Sequence, residues 1–192
     1  MPKIILASLS PRRKELLLNI VKKFGVIPSS FDESTIDPDG QKYSAAEFAI
    51  LASLYKALDI AHKHPKALVI GADTVVALNG KIFGKPKDKK EAVKILQKLS
   101  GRKHQVTTGV SVIYLSQQKI ISTATTSEVY FKKLKSKDIL EYVESGSPLD
   151  KAGSYGIQDI GQKFVKKIEG DLDNIVGLPI KTLKKLMLQF QS

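Results

Sequence analysis

Cysteine is absent from the 192 residues. That excludes disulfides and thiolate metal sites, and it agrees with a reducing compartment. No apolar run approaches the roughly 20 residues of a transmembrane helix. The start of the chain does not read as a signal peptide, because Lys3 precedes only a short apolar stretch and Arg12 and Arg13 follow. The expectation is a cytoplasmic protein with no membrane partner. Two common nucleotide signatures are missing as well, the Walker-type GxxxxGK(S/T) loop and GxGxxG. No Ser-His-Asp system is apparent. His62, His64 and His104 lack zinc-ligand spacing and are expected to be structural or at the surface.

Negative charge is also scarce. Nineteen acidic residues face 31 basic ones, for a net charge of +12, which favours anionic partners. Many of the lysines fall on polar faces of predicted helices, among them Lys89, Lys90 and Lys94, and Lys181, Lys184 and Lys185. Such faces are usually just solvated. No basic stretch interleaves aromatics in the way that stacks single-stranded nucleic acid. Charge therefore leans toward anions without choosing among them.

The rest of the sequence is that of a folded α/β domain. A short apolar strand ends at Ala7. Ser10 reads as a helix N-cap, with Pro11 at the first helical position, where its missing N–H costs nothing. Pro28 to Ser44 reads as an acidic loop, and Ala45 to His62 has helical spacing through Phe48, Leu51, Ala52, Tyr55 and Leu58. Ala67 to Ala77 is a near-continuous apolar run, as expected of a central strand. Asn79-Gly80 marks a hairpin. Asp88 is expected to cap a helix that stops at Gly101. Two β-like runs follow, Gln105 to Leu115 and Lys119 to Lys132. Ser136 is expected to cap a short helix ending at Gly146, glycine-rich loops and short strands to fill Asp150 to Gly177, and Pro179 to begin a last amphipathic helix.

Five places could carry chemistry. Arg12 and Arg13 sit in the first turn of the predicted helix, where the helix dipole disfavours cations. They make sense there if an anion, phosphate above all, lies between them and the free N–H groups. Asp73 stands in the most apolar stretch of the chain, and a buried carboxylate is costly unless paired or coordinating a metal. The weaker alternative is a structural aspartate capping a turn at Gly71-Ala72. Glu33, in the acidic loop, gains interest as a partner of Asp73, since Mg²⁺ usually takes one or two carboxylates plus phosphates and water. Lys85, held between Gly84 and Pro86, is returned by the hairpin toward Asp73. The segment Asp150 to Gly156 is rich in small residues and contains few that need burial. That suggests contact with a ligand or packing against a strand.

Together these segments resemble the Maf family of nucleotide pyrophosphatases. The likeness runs in order through LASLSPRRKELL, the acidic loop with Glu33, ALVIGADTVV, IFGKPKDKKEA, LSGRKHQVTTGVSV, SPLDKAGSYGIQ and IEGDLDNIVGLP. It covers nearly the whole chain, so residues 1–192 are expected to form a single Maf-like domain. The resemblance implies a mixed twisted α/β sheet flanked by helices, with two lobes around a central cleft, and a homodimer. It implies hydrolysis of nucleoside triphosphates to the monophosphate and pyrophosphate with a divalent metal, Mg²⁺, Mn²⁺ or Co²⁺. By the same resemblance Arg13 and Lys85 would bind phosphates, with Arg12 beside them and Ser8 and Ser10 in the same loop. Glu33 and Asp73 would hold the metal or activate water, with Asp73 as the catalytic residue. Lys56 would reach the site, and Gln158 would bind substrate or a metal-bound water. Thr74 matches the subgroup that prefers dTTP and UTP, where a glutamine would mark action on 7-methyl-GTP. The family usually has glycine after YGIQ, and this chain has Asp159, an added carboxylate that could face the phosphates or solvent. The rival readings are a nucleic-acid-binding regulator that uses the positive charge and a phosphohydrolase that releases orthophosphate.

Overall fold

The computed structural model describes residues 2–37 and 42–190, and of residues 160–162 the backbone only. Met1 of the first strand and Pro38, Asp39 and Gly40 of the acidic loop lie outside the described residues. In chain order the elements are β1 (Lys3–Leu6), α1 (Pro11–Leu18), β2 (Gly25–Val26), α2 (Ala45–Lys63), β3 (Ala67–Leu78), β4 (Lys81–Phe83), α3 (Lys89–Leu99), β5 (Lys103–Tyr114), β6 (Lys119–Phe131), α4 (Ser136–Glu144), α5 (Ile157–Phe164), β7 (Val165–Glu169), α6 (Leu172–Val176) and α7 (Ile180–Leu188). The strands form one mixed sheet in the order β2-β1-β3-β5-β6-β7, with β4 paired to β3 beside that path. β1 runs parallel to β2 and β3, whereas β5, β6 and β7 are each antiparallel to the preceding strand in the sheet.

β3 organises the molecule. All its residues are buried except the half-buried Thr74, as a strand covered on both faces requires. Its alternation sorts the core. Val69 packs with Ile5, Ile113 and the α2 residues Ala57 and Ile60 on one face. Ile70 packs with Leu6, Leu17, Val112 and Leu183 on the other. Farther along, Val76 and Leu78 join a separate core with Leu96, Val129, Phe131 and Phe164. The two ends of one strand thus serve different cores, and Asp73 and Thr74 fall between them. This is the physical origin of two lobes with a cleft at their junction.

α2 lies directly on the sheet. Its inner face is small, with Ala49, Ala52, Ser53 and Ala57 buried, and it meets Gly71 of β3 and Gly109 of β5. A Cβ on Gly71 would stand 2.2 Å from the Ser53 carbonyl oxygen, and one on Gly109 would stand 2.1 Å from that of Ala49. Only glycine permits so close an approach of two backbones. The Ser53, Ser111 and Ser122 hydroxyls continue the contact across the sheet at 2.8 Å each.

The local signals largely hold. Ser10 and Asp88 cap α1 and α3, accepting from the backbone N–H of Arg13 and Glu91. Asn79 and Gly80 have φ of 52° and 80°, the two positive values that a type I′ hairpin turn needs. Ser136 differs from expectation. It is the first helical residue of α4 and makes no cap, and Asp138 supplies the negative charge of the first turn instead. The stretch from Asp150 to Gly177 contains the expected short strand, β7, but also two helices, α5 and α6. α6, with five residues, is too short to show a period, and α5, as long as α1, lacks the Ser-Pro start that marks α1. Nor is the segment from Asp150 free of burial, because Lys151, Gly153, Ser154 and Tyr155 are all buried, with Gly153 seated against Val76. Among the described residues no helix is long and apolar enough to cross a membrane.

Candidate active site

A cleft of about 870 Å³ opens at the junction of the two cores, and all ten residues nominated from the sequence line it: Ser8, Ser10, Arg12, Arg13, Glu33, Lys56, Asp73, Thr74, Lys85 and Gln158. It lies beyond the carboxyl end of β1, where the chain turns into the N-terminus of α1. Open α/β sheets commonly bind ligands at such an end. No acidic residue occupies the first turn of α1, so the dipole and both arginines point positive potential into the cleft.

Arg13 is clamped. Its Nε donates to the Gly177 carbonyl at 2.9 Å, Nη1 to Ser8 Oγ at 3.2 Å and Nη2 to Thr74 Oγ1 at 3.1 Å. A guanidinium has five N–H groups, so two remain for a ligand. Gly177 has φ of 123°, and a Cβ there would touch Arg13 Nε at 3.4 Å. Glycine is therefore favoured there by its backbone conformation. Thr74 in turn bonds Thr108 at 2.9 Å, and the Thr108 hydroxyl donates to the Asn174 carbonyl at 2.8 Å. Asn174 is fully buried, accepting from the Thr108 N–H and donating to the Val106 carbonyl and Ser127 Oγ. Burial lowers the Arg13 pKa, opposed by the charge of Asp73.

Across the strand, Asp73 is 6% exposed. Lys56 on α2 reaches it with Nζ 2.6 Å from Oδ1, and the same Nζ lies 3.2 Å from Glu33 Oε2. Glu33 is carried on a single 3₁₀ turn, Glu33–Thr35, capped by Asp32. Burial pushes the Glu33 carboxyl up, but the charge and hydrogen bond of Lys56, its own backbone N–H and the more distant Lys85 together bring it below its ordinary value. Glu33 is thus a carboxylate at neutral pH, and one of its oxygens meets one of Asp73's at the Lys56 ammonium.

The remaining cations differ in how firmly they are held. Arg12 has a long contact, 3.6 Å, to the exposed Asp150. Lys85 makes no hydrogen bond or ion pair among the described residues, so its charge is available to a ligand. Lys151, which sequence reasoning does not single out, is buried in the cleft wall and pairs with Asp150 at 2.6 Å and Asp159 at 3.2 Å. Asp159 turns away from the cleft. It accepts from Ser147 Oγ at 2.6 Å and Tyr142 OH at 3.2 Å. Gln158 is exposed at the cleft edge. Sequence reasoning also misses Asn174 and Thr108. The one signal for Asn174 is a polar residue standing next to the apolar run Ile175-Val176.

The donor set suits a hard divalent cation. Two carboxylates converge, and among the described residues no cluster of three or more His, Cys, Asp or Glu offers a self-sufficient cage. Glu33 and Asp73 could hold such an ion only if phosphate oxygens and water completed its shell. An arrangement of two convergent carboxylates opposite several incompletely neutralised cations can bind a polyanion and deliver water to it.

Comparison with known proteins agrees in kind. A family profile described as "Maf-like protein" matches residues 3–190. A dTTP/UTP pyrophosphatase of Clostridium beijerinckii is 44% identical over 190 residues, spanning 98% of this chain and 100% of that protein. One from Clostridioides difficile is 44% identical over 189 residues, spanning 98% and 95%. One from Clostridium tetani is 45% identical over 185 residues, spanning 95% of each. Among solved structures, the Staphylococcus aureus Ham1 protein superposes with a TM-score of 0.50 at 19% identity, covering 98% of this chain and 100% of that one. At that identity the likeness is one of fold.

Proposed function

This chain belongs to the Maf family, and on that footing we propose that it hydrolyses dTTP and UTP, with related modified pyrimidine nucleotides, to the monophosphate and pyrophosphate. The observation that carries the reading is the pairing within one cleft of convergent carboxylates, Glu33 and Asp73, with the available cations Arg12, Arg13 and Lys85. The names of the relatives supply the base preference.

The reaction consumes one water and breaks the bridge between the α and β phosphates. The triphosphate lies against Arg13, Arg12, Lys85 and the N-terminus of α1, and it supplies the negative charge that the arginine-bearing turn lacks. These side chains neutralise charge that builds on the departing pyrophosphate. Asp73 orients the attacking water and takes its proton. Glu33 and Asp73 would hold a divalent cation, Mg²⁺, Mn²⁺ or Co²⁺, which when bound supplies Lewis acidity toward the phosphates. Thr74 acts on the substrate through the guanidinium it touches. The same reading includes a cytoplasmic location, which a chain without cysteine suits, and a homodimer, which sedimentation measures.

The test is a nucleotide panel with Mg²⁺ and then Mn²⁺, comprising dTTP, UTP, CTP, ATP, GTP, dUTP, 5-methyl-UTP and 7-methyl-GTP, with products separated by ion exchange. Pyrophosphate with monophosphate, fastest from dTTP or UTP, is the expected result. Orthophosphate as the product would replace the reaction. Preference for 7-methyl-GTP would replace the substrate. No turnover, together with salt-sensitive nucleic-acid binding, would return the protein to the regulator reading.

A further inference from the structure

Lys56 joins two carboxylates that come from different parts of the chain. Its Nζ stands 2.6 Å from Asp73 Oδ1 and 3.2 Å from Glu33 Oε2. The lysine side chain is only 13% exposed and that of Asp73 only 8%. An ammonium in that position fills the point where one oxygen of each carboxylate meets it. A divalent cation held by the same pair needs that point. The two cations exclude each other, because like charges a few ångströms apart repel strongly where little water screens them.

The lysine cannot leave by moving its helix. α2 is fixed by the contact of Ser53 and Ala57 with Gly71, so the ammonium departs by rotating its own flexible stem. No third carboxylate in the cleft bonds it. The other carboxylates that line the cleft are engaged, Asp32 by the Ser34 N–H, Asp37 by the Lys42 and Tyr43 N–H groups, and Asp150 by Lys151 and Arg12, while Arg12, Arg13 and Lys85 add positive charge. A displaced ammonium finds a favourable place there only when a triphosphate is present.

We propose that Lys56 is an internal counter-ion of the Glu33–Asp73 pair, surrendering it to a divalent cation only when nucleotide phosphates arrive to receive the ammonium. Metal and nucleotide then bind cooperatively, each raising the affinity for the other by the same factor. Lys56 is a positioning residue in this role, and the free protein is insulated from stray divalent ions. The proposal rests on Glu33 and Asp73 being the metal-holding carboxylates.

The experiment measures Mn²⁺ affinity by paramagnetic resonance of the free ion, with no turnover required. The full chain is compared with Lys56→Met, Lys56→Gln and Asp73→Asn, each with and without α,β-methylene-UTP, whose α–β bridge does not hydrolyse. Without nucleotide, Lys56→Met binds Mn²⁺ about tenfold or more tightly than the parent. The analogue sharpens Mn²⁺ binding to the parent far more than to the variant. Lys56→Gln, which keeps hydrogen-bond donors without the charge, gives the same direction and covers the case in which Lys56→Met fails to fold. If neither variant binds Mn²⁺ more tightly while Asp73→Asn still loses it, the counter-ion role is overturned and the carboxylate site stands. If Asp73→Asn binds Mn²⁺ as the parent does, the carboxylate pair is not the metal site, and the proposal falls with that reading.

Discussion

Asn174 makes no hydrogen bond to Arg13, yet an unbroken line of hydrogen bonds joins them through Thr108 and Thr74. The direction of every proton in that line follows from its ends. Thr108 spends its single O–H on the Asn174 carbonyl, so toward Thr74 it can only accept. Thr74 therefore donates to Thr108 and turns a lone pair to the guanidinium. The backbone carbonyl of Asn174 fixes the orientation of a hydroxyl, which in turn positions the threonine on a cleft arginine, and the Asn174 side chain holds that carbonyl in place by bonding the Thr108 N–H and the Val106 carbonyl.

Asn174→Ala should accordingly damage both stability and turnover. It removes three side-chain hydrogen bonds and strands the Thr108 N–H and Val106 carbonyl, at a cost of about 2–4 kcal/mol. Urea unfolding measures that loss. The kinetic part is separated with Arg13→Ala. If Asn174 acts through the arginine, its replacement lowers kcat/KM in the parent background and adds little once Arg13 is gone.

Asp73→Asn keeps the shape of the side chain and removes its charge and basicity. Turnover should fall by about 10²–10⁴-fold, the usual contribution of a positioned base. Binding of α,β-methylene-UTP in the absence of metal, followed by calorimetry, should persist within a few-fold, since the phosphate-facing cations remain. Full activity in this variant would remove Asp73 from the chemistry.

Gly109→Ala should destabilise the fold in spite of being a small change. The new methyl would meet the Ala49 carbonyl at 2.1 Å and force α2 off the sheet. Overpacking of that kind costs about 1–3 kcal/mol or more, visible as a lowered Tm. Because α2 carries Lys56, activity measured well below the Tm should fall as well. A Gly80→Ala control, where a Cβ meets nothing within 4 Å, tests turn strain alone and should leave activity intact.

His104 predicts an acid-side loss of stability. It is buried against Tyr155, whose hydroxyl lies 2.7 Å from Nε2, and burial lowers its pKa from 6.5 to about 4. Between those values the unfolded chain binds a proton that the folded one refuses, so stability is full above pH 6.5 and drains away as pH falls toward about 4. The largest loss from this group is about 3 kcal/mol. Denaturation midpoints at pH 7 and pH 4.5 should diverge in the parent and converge in His104→Gln.

Features that depend on adjacent residues are legible in the amino-acid order alone. The apolar run of β3, the caps Ser10 and Asp88 and the Asn79-Gly80 turn are each written in a few neighbouring positions. Ser8, Ser10, Lys56, Thr74 and Gln158 are nominated only through the family resemblance, whereas Arg12, Arg13, Glu33, Asp73 and Lys85 can be read because each sits in a short block with unusual chemistry. The line from Asn174 to Arg13 cannot. It depends on the register that sets Thr74 opposite Thr108 and on a segment that closes over β5 from much later in the chain. Asp159 is ambiguous for a similar reason. Its neighbours Lys151, Ser147 and Tyr142 arrive from α4 and the turns after it, and nothing local shows that they will meet it.

The glycine-floored contact of α2 has a consequence for how this sequence can drift. Where two backbones touch, distance is set by atoms that every amino acid shares. Aliphatic residues in the lobes on either side can be exchanged and repacked without altering the span from Lys56 to Asp73. The geometry of the cleft is in that sense mounted on the chain itself and insulated from the turnover of the oil around it.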